Sequence, residues 1–288
     1  MSGVRVKDKE LLELGMTLPG FVERSEVVAS LPSLSLLTLA AFTPEHWEIV
    51  YKECDDIENY DSTWILDESF DLIAISSFSA RILDGYKLAD SLRQAGLKVV
   101  LGGLHVTALP EEASLHADAI VIGEGEPVWQ TLLSDFENGS LKTVYDSKTL
   151  RKSFSLSDTL VPRYDLLDIS QYNRLTLQTT RGCPLDCSFC AASRLLSNYK
   201  IKPLAQVEKE LEAIFSLWPK PFIELADDNS FINKKWAKKL AKLFSAYPLR
   251  WFTETDISIA EDEELLELLA LSRCTQVLID SSPPAKCH

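Results

Sequence analysis

Short, continuous apolar runs alternate with helix-period stretches through most of this chain, and that alternation leaves one broad fold class. Leu72-Ile73-Ala74-Ile75 ends in Ser76-Ser77. A helical pattern follows, with Tyr86, Leu88, Ala89 and Leu92 on one side, until Gly96 stops it. Lys98-Val99-Val100-Leu101 then ends at Gly102-Gly103. Ala119-Ile120-Val121-Ile122 ends at Gly123-Glu124-Gly125-Glu126, and Pro127 suits the first turn of another helix. Strands without polar alternation are buried on both faces, so these runs predict a parallel sheet covered by helices on either side. Ligands of such sheets bind beyond the carboxyl ends of the strands, where Ser76, Ser77, Gly102, Gly103, Gly123, Glu124 and Gly125 all fall. Any one of these glycines alone reads as a tight turn. Three small-residue strand ends along one edge read as a pocket that backbone can approach closely.

A second series of strands reads Leu175 to Thr180, Phe222 to Leu225, Arg250 to Thr253 and Gln276 to Ile279. The helices between them carry apolar faces: Val207, Leu211, Ile214 and Phe215, then Trp236, Leu240, Leu243 and Phe244, then Leu265, Leu266, Leu268 and Leu269. Repeated βα units predict an open or partial barrel with its chemistry at the carboxyl-terminal strand ends. Residues 148–172 lack clear periodicity, include Pro162, and are expected to be a linker. The fold class is therefore α/β: an N-terminal Rossmann-like parallel-sheet domain over 1–147, the linker over 148–172, and a partial (β/α) barrel over 173–288. Only about four βα units fit before the final Cys287-His288, so the barrel is expected to be incomplete, as if truncated at the C-terminus.

The chain has 288 residues, ample for proper cores, and is 46% hydrophobic and 25% charged, as in ordinary soluble proteins. Charged residues interrupt every apolar stretch, which excludes a membrane span. The amino terminus is too charged for a secretory signal, so a cytoplasmic address is expected. A net charge of −14 would repel a nucleic acid, and none is expected as partner. Lys234-Lys235 with Lys238-Lys239 reads as a solvated helix face rather than a basic patch.

Six cysteines are unevenly spread, and three of them, Cys183, Cys187 and Cys190, crowd into eight residues. A disulfide framework would distribute them; the crowding points to metal, and Cys54 and Cys274 read as buried thiols. Thiolates suit iron–sulfur clusters or zinc. Spacings of four and three let one loop wrap three corners of a cubane and leave one iron open to an exogenous ligand. Structural zinc usually takes a fourth protein ligand at short range; no histidine is near, and Cys274 and Cys287 lie far along the chain. Zinc stays the second reading.

Thr180-Arg181-Gly182-Cys183-x3-Cys187-x2-Cys190, with an aromatic at Phe189 directly after a strand, resembles the signature loop of radical S-adenosylmethionine (SAM) enzymes. The resemblance implies a [4Fe–4S] cluster whose free iron chelates SAM. It also implies one-electron cleavage to a 5′-deoxyadenosyl radical, an electron donor such as a flavodoxin or ferredoxin, and a small-molecule substrate. Phe189 would pack near the adenine, or is a core residue. Asp227 and Asp228, where the family often has Gly-Gly-Glu, would meet the methionine amino group, with a helix cap by Asp228 or Asn229 as the competing reading. Glu254 would meet the ribose, or is a surface carboxylate.

The stretch from Leu31 to Ala40, Gly102-Gly103-Leu104-His105-Val106-Thr107 and Gly123-Glu124-Gly125-Glu126 resemble the cobalamin-binding domain fused to many radical SAM enzymes. That likeness covers roughly residues 20–145 and implies cobalamin as a further cofactor. The Asp-x-His-x-x-Gly motif that supplies a lower cobalt ligand is absent, and His105 reads as a polar loop residue near the corrin rather than a ligand. Together the two domains imply a methyltransferase acting at an unactivated carbon. The alternatives are a radical SAM enzyme for cyclisation or rearrangement, and a truncated, non-catalytic cofactor-binding protein.

Overall fold

The computed structural model describes residues 31–54, 57, 63–185, 187, 190 and 198–280, which divide into two compact units, one ending at Phe154 and the other beginning at Ser155. Phe189, expected beside the adenine, and the final Cys287-His288 lie outside the described residues.

In the first unit the apolar runs become four parallel strands, β1 (Leu72–Ser76), β2 (Lys98–Gly102), β3 (Ala119–Ile122) and β4 (Val144–Asp146), in that spatial order. Successive strand residues face opposite ways, so neighbours in sequence serve different cores. Ile75, Val99, Leu101 and Ile120 pack on one face against Ile65 of α2 (Thr63–Asp67) and Tyr86, Ala89 and Leu92 of α3 (Ile82–Gln94). Val106 of α4 (Leu104–Ala108) and Ala113 of α5 (Pro110–Ala113) complete that layer. Val100, Ala119 and Val121 meet Val128, Trp129, Leu132 and Leu133 of α6 (Glu126–Glu137) on the other face. Leu39 and Phe42 of α1 (Leu34–Phe42) join them there. Helices thus cover both faces, as continuous apolar strands require. Gly96 ends α3 with φ +93°, and Pro127 sits in the first turn of α6.

The second unit holds a parallel sheet in the order β10-β9-β8-β5, from β5 (Leu175–Leu177), β8 (Phe222–Leu225), β9 (Arg250–Asp256) and β10 (Cys274–Asp280). The helices α7 (Leu204–Leu217), α8 (Lys234–Ser245) and α9 (Glu263–Leu271) connect these strands. Trp251, fully buried, stands edge-on to Phe244 and Phe231 and donates its indole N–H to the Ser272 carbonyl at 2.9 Å. Of the lysines of α8, Lys238 lies 2.9 Å from Asp262 and 2.7 Å from Glu264, and Lys234 donates to the Ser258 hydroxyl at 2.9 Å.

Two features differ from expectation. Residues 175–180 do not form one strand: β5 stops at Leu177, and Thr180–Arg181 (β6) pairs antiparallel with Lys200–Ile201 (β7) instead. The cause is a side chain, Asp227, which captures the N–H groups of Thr179 and Thr180 that a continuing ladder would need. The stretch expected as linker carries 3-10 turns at Leu156–Asp158, Tyr164–Leu166 and Ile169–Gln171 and buries Leu156, Tyr164, Leu167 and Tyr172. Among the described residues, no helix is long and apolar enough to cross a membrane.

Candidate functional site

At the carboxyl edge of the second sheet, two adjacent carboxylates shape the entry to the cysteine loop. Asp227, 4% exposed, accepts the N–H of Thr179 at 2.7 Å and of Thr180 at 2.9 Å on one oxygen. Its other oxygen accepts the hydroxyls of Thr179 and of Ser230 (3.0 Å for the latter). Four donors fill the four lone-pair positions of a carboxylate, so Asp227 is committed to the protein itself. Burial pushes its carboxyl up, against those hydrogen bonds. Asp228 points the other way, is exposed, and accepts the N–H of Gly182 at 2.8 Å. The cap of α8 falls to Asn233, which accepts the Trp236 N–H at 3.0 Å; the cap reading of Asp228 or Asn229 is therefore corrected. Asn229 instead bridges to β9, donating to Asp256 at 2.8 Å and accepting from the Thr255 hydroxyl at 2.8 Å.

Cys183, half-buried, follows Gly182 directly, and the Cys190 N–H donates to the Cys187 carbonyl at 3.0 Å within the loop. Burial pushes the Cys183 thiol up, and negative charge at Asp228, Cys187 and Cys190 pushes it further. The three sulfurs thus share one electrostatic neighbourhood. Among the described residues, no three His, Cys, Asp or Glu side chains gather around a point where one metal ion would bind. Three thiolates on one loop are the donor chemistry of an iron–sulfur cluster as well as of zinc. Glu254 is near: burial and the Asp228 charge push its carboxyl up, and its carbonyl accepts the Ser230 N–H at 3.1 Å. Cys274 stands apart, its thiol pushed up to about 12 by burial.

Sequence reasoning missed the groups behind this corner. Lys202 and Glu210, 2% and 0% exposed, form a buried pair with two contacts of 2.7 and 2.8 Å, and the Lys202 N–H donates to the Thr179 carbonyl at 2.9 Å. The signal for Glu210 was present, since it shares the apolar stripe of α7 with Val207, Leu211 and Ile214. Tyr199 was missed as well. Its phenol oxygen is buried without a hydrogen-bond partner among the described residues, and burial together with negative charge at Asp227 and Cys183 pushes the phenol up.

The carboxyl edge of the first sheet is closely fitted. Gly103 has φ +112°, and a Cβ there would lie 3.2 Å from the Ser76 hydroxyl. Gly123 has φ +79°, and a Cβ would meet the Ser147 hydroxyl at 2.5 Å. The Thr107 hydroxyl accepts the Gly123 N–H at 2.9 Å and so ties helix α4 to the turn after β3. Gly125 leaves room for Leu39, which would be 3.0 Å from an added Cβ. Gly102, Gly103, Gly123 and Gly125, with Ser76 and Ser77, therefore do stand at neighbouring strand ends, and Glu124 lies in the same β3–α6 turn. His105 is different: it belongs to helix α4 rather than a loop, and its ring lies 3.2 Å from Glu112 and edge-on to Tyr86. It is turned toward the helical layer. Burial and then Glu112 push the Tyr86 phenol up to about 12.

Residues 24–133 match the family described as the B12 binding domain. The chain is 31% identical over 264 residues to bacteriochlorophyllide d C-8(2)-methyltransferase of Chlorobaculum tepidum, covering 85% of this chain and 56% of that one. It is 26% identical to the C-12(1)-methyltransferase of the same organism, covering 84% of this chain and 53% of that one. The chain thus spans about half the length of the curated relatives it matches. Its fold resembles that of the radical SAM methyltransferase TsrM from Kitasatospora setae, solved with tryptophan and aza-SAM. The TM-score is 0.62 at 19% identity, over 76% of this chain and 50% of that one. A second structure of TsrM, with cobalamin and a [4Fe–4S] cluster bound, matches at a TM-score of 0.61 and 17% identity, with the same coverage.

Proposed function

We propose that the chain is a radical SAM protein with an amino-terminal cobalamin-binding domain, and that it transfers a methyl group to an unactivated carbon of a small-molecule substrate. Cys183, Cys187 and Cys190 would hold a [4Fe–4S] cluster, with Phe189 in the same loop beside bound SAM. Asp228 would meet the amino group of SAM and Glu254 its ribose. Asp227 supports the site from behind rather than touching the ligand. Ser76, Ser77, Gly102, Gly103, Gly123, Glu124 and Gly125 would line the cobalamin edge, with His105 braced behind it. When bound, these groups supply one-electron cleavage of SAM and a carrier for the methyl group. The assignment divides the chain into a cobalamin domain over 1–147, a connecting segment over 148–172 and the partial barrel beyond it. An electron donor of the flavodoxin or ferredoxin kind would reduce the cluster, and a cytoplasmic setting would keep the thiols free. A net charge of −14 argues against a nucleic-acid substrate.

One observation carries the reading. Asp227 and Asp228 bind three of the four N–H groups just before Cys183, those of Thr179, Thr180 and Gly182, and so present the cysteine loop at the carboxyl edge of a parallel sheet. The test is anaerobic reconstitution with iron and sulfide, followed by electron paramagnetic resonance before and after SAM, and by absorbance after cobalamin is added. A cluster signal that shifts with SAM and disappears in the Cys183→Ala/Cys187→Ala/Cys190→Ala variant is expected, as is stoichiometric cobalamin uptake. Zinc in place of iron, or a cluster indifferent to SAM, would overturn the radical chemistry; no cobalamin uptake would overturn the methyl-carrier half.

A further inference from the structure

We propose that the helix-free face of the second sheet receives the substrate, and that Glu224 selects there for a compound joining an apolar ring to an ammonium group. The inference rests on the function proposed above and deepens it by naming a substrate class. It concerns residues that neither the cysteine motif nor the comparisons single out.

Strand register divides the residues of this sheet between two faces. Leu175, Ile223 and Trp251 lie in one row, and Trp251 stands edge-on to Phe244 of α8, so that row faces the helices. Thr176, Glu224, Phe252 and Gln276 form the next row and face the other way. Exposure follows the same parity. Along β8 and the turn after it, Ile223, Leu225 and Asp227 are buried, Glu224 is half-buried, and Ala226 and Asp228 are exposed. In β9, Trp251, Thr253 and Thr255 are buried, Phe252 is half-buried and Glu254 is exposed. Right-handed crossovers put α7, α8 and α9 on the Trp251 side, which leaves the Glu224 face open along β8 and β9.

Asp228 and Glu254, assigned above to SAM, stand at the carboxyl end of this face, and the small Ala226 separates Asp228 from Glu224 below. Glu224 keeps 18% of its side chain exposed toward that space. Arg174 Nε lies 2.6 Å from Glu224 Oε2, too poorly aligned to make a hydrogen bond, so that oxygen has a charge beside it but no donor. The Arg174 guanidinium lies over Phe252, 5.9 Å from the ring centre. Thr176, opposite Glu224 in the register and only 6% exposed, has a hydroxyl without a partner. A buried ion pair adds little stability over apolar side chains of the same volume, and buried hydroxyls are seldom left unpaired. Two unfinished polar groups on one open face mark a place where a ligand supplies the missing bonds. Its charge follows from the surroundings, where Glu224, Asp228, Glu254 and Asp256 outnumber Arg174 and Arg250. Phe252 and Leu278, the latter 50% exposed and opposite Glu254, supply apolar surface. The complement of such a face is an ammonium group that donates to Glu224, carried by a ring that lies against Phe252 and Leu278.

The experiment uses the full chain, reconstituted anaerobically with its cluster and loaded with SAM. It is titrated by calorimetry with three probes of nearly one shape: phenethylamine, 2-phenylethanol and phenylacetate. The amine should bind about tenfold more tightly than the alcohol, the ratio expected of one hydrogen bond to a charged group, and phenylacetate should bind most weakly. Glu224→Gln keeps the shape and should bring amine and alcohol to nearly equal affinity. Because that variant leaves the Arg174 charge without its carboxylate, the double variant Arg174→Met/Glu224→Met is measured beside it. It removes both charges, should keep the cluster and its response to SAM, and should also lose the preference for the amine. Equal binding of the three probes, or no binding, overturns the proposal, as does a preference for the amine that survives in the double variant. A wild type without a SAM-responsive cluster sinks the function proposed above and this inference together; a SAM-responsive wild type without the amine preference sinks this inference alone.

Discussion

Replacing Glu210 by Met should be among the most damaging single changes in the second unit, though Glu210 touches none of the cysteines. The substitution leaves the Lys202 ammonium, 2% exposed, without the two carboxylate contacts of 2.7 and 2.8 Å that now satisfy it. Breaking a buried pair by removing one partner costs about 3–5 kcal/mol, a large fraction of a domain's usual stability of about 5–15 kcal/mol. With a urea slope of about 2 kcal/mol/M, the unfolding midpoint of this unit should fall by about 2 M. Ellipticity and tryptophan fluorescence would follow the two units, and only the transition of the second should move. Two further results belong to the same reasoning. Burial already holds the Lys202 ammonium below the usual lysine range, so in the variant the unfolded chain binds the extra proton. Stability of Glu210→Met should therefore rise as pH increases from 7 toward the unfolded lysine value of about 10.4. The double variant Lys202→Met/Glu210→Met removes both charges and should recover most of the loss. A single-variant cost below about 1 kcal/mol, the range of exposed pairs, would refute the buried pair.

Other substitutions probe the first unit. Gly123→Ala combines a positive φ of +79° with a Cβ 2.5 Å from the Ser147 hydroxyl, which now donates to the Ile122 carbonyl at 3.0 Å. It should cost about 2–3 kcal/mol by thermal or urea unfolding, whereas Gly139→Ala, at φ +68° with open space around it, should cost about 1–2 kcal/mol. Equal costs would mean that the close approach to Ser147 is not real. Asp118 is held below the ordinary carboxylate range although burial works the other way, by Lys98 at 2.8 Å, the Val99 N–H at 3.0 Å and Arg93. Its contribution is present above the unfolded value of about 3.9 and is lost as pH falls through the lower folded value. Urea midpoints from pH 6 to 2 should therefore fall less steeply in Asp118→Asn than in wild type; parallel acid limbs would count against it.

What could be read from the sequence was local. Apolar runs with small residues at their ends gave β1, β2, β3 and β8 nearly to the residue, because burial on both faces of a strand and a glycine beyond it both leave marks in adjacent positions. The end of β5 could not be read so, since the break after Leu177 is caused by Asp227, which lies 48 residues from the Thr179 whose N–H it binds. Glu210 was half legible on the stripe of α7, but its partner Lys202 lies outside that helix. Asp227 and Asp228 were the hardest pair. Adjacent residues at a strand end project to opposite sides, and only the neighbouring chain decides which side is interior. The structure gives them unlike tasks, so their substitutions should differ in kind. Asp227→Ala strips two buried N–H groups of their acceptor, at about 1–3 kcal/mol each, and should cost about 2–6 kcal/mol of stability. Asp228→Asn keeps an oxygen for the Gly182 N–H and should cost under about 0.5 kcal/mol. Its loss of charge should instead weaken SAM binding to the reconstituted protein, read as a higher SAM concentration for half of the cluster's spectral shift. If Asp228→Asn binds SAM as wild type does, or if Asp227→Ala unfolds where wild type unfolds, the division of labour between the two carboxylates is wrong.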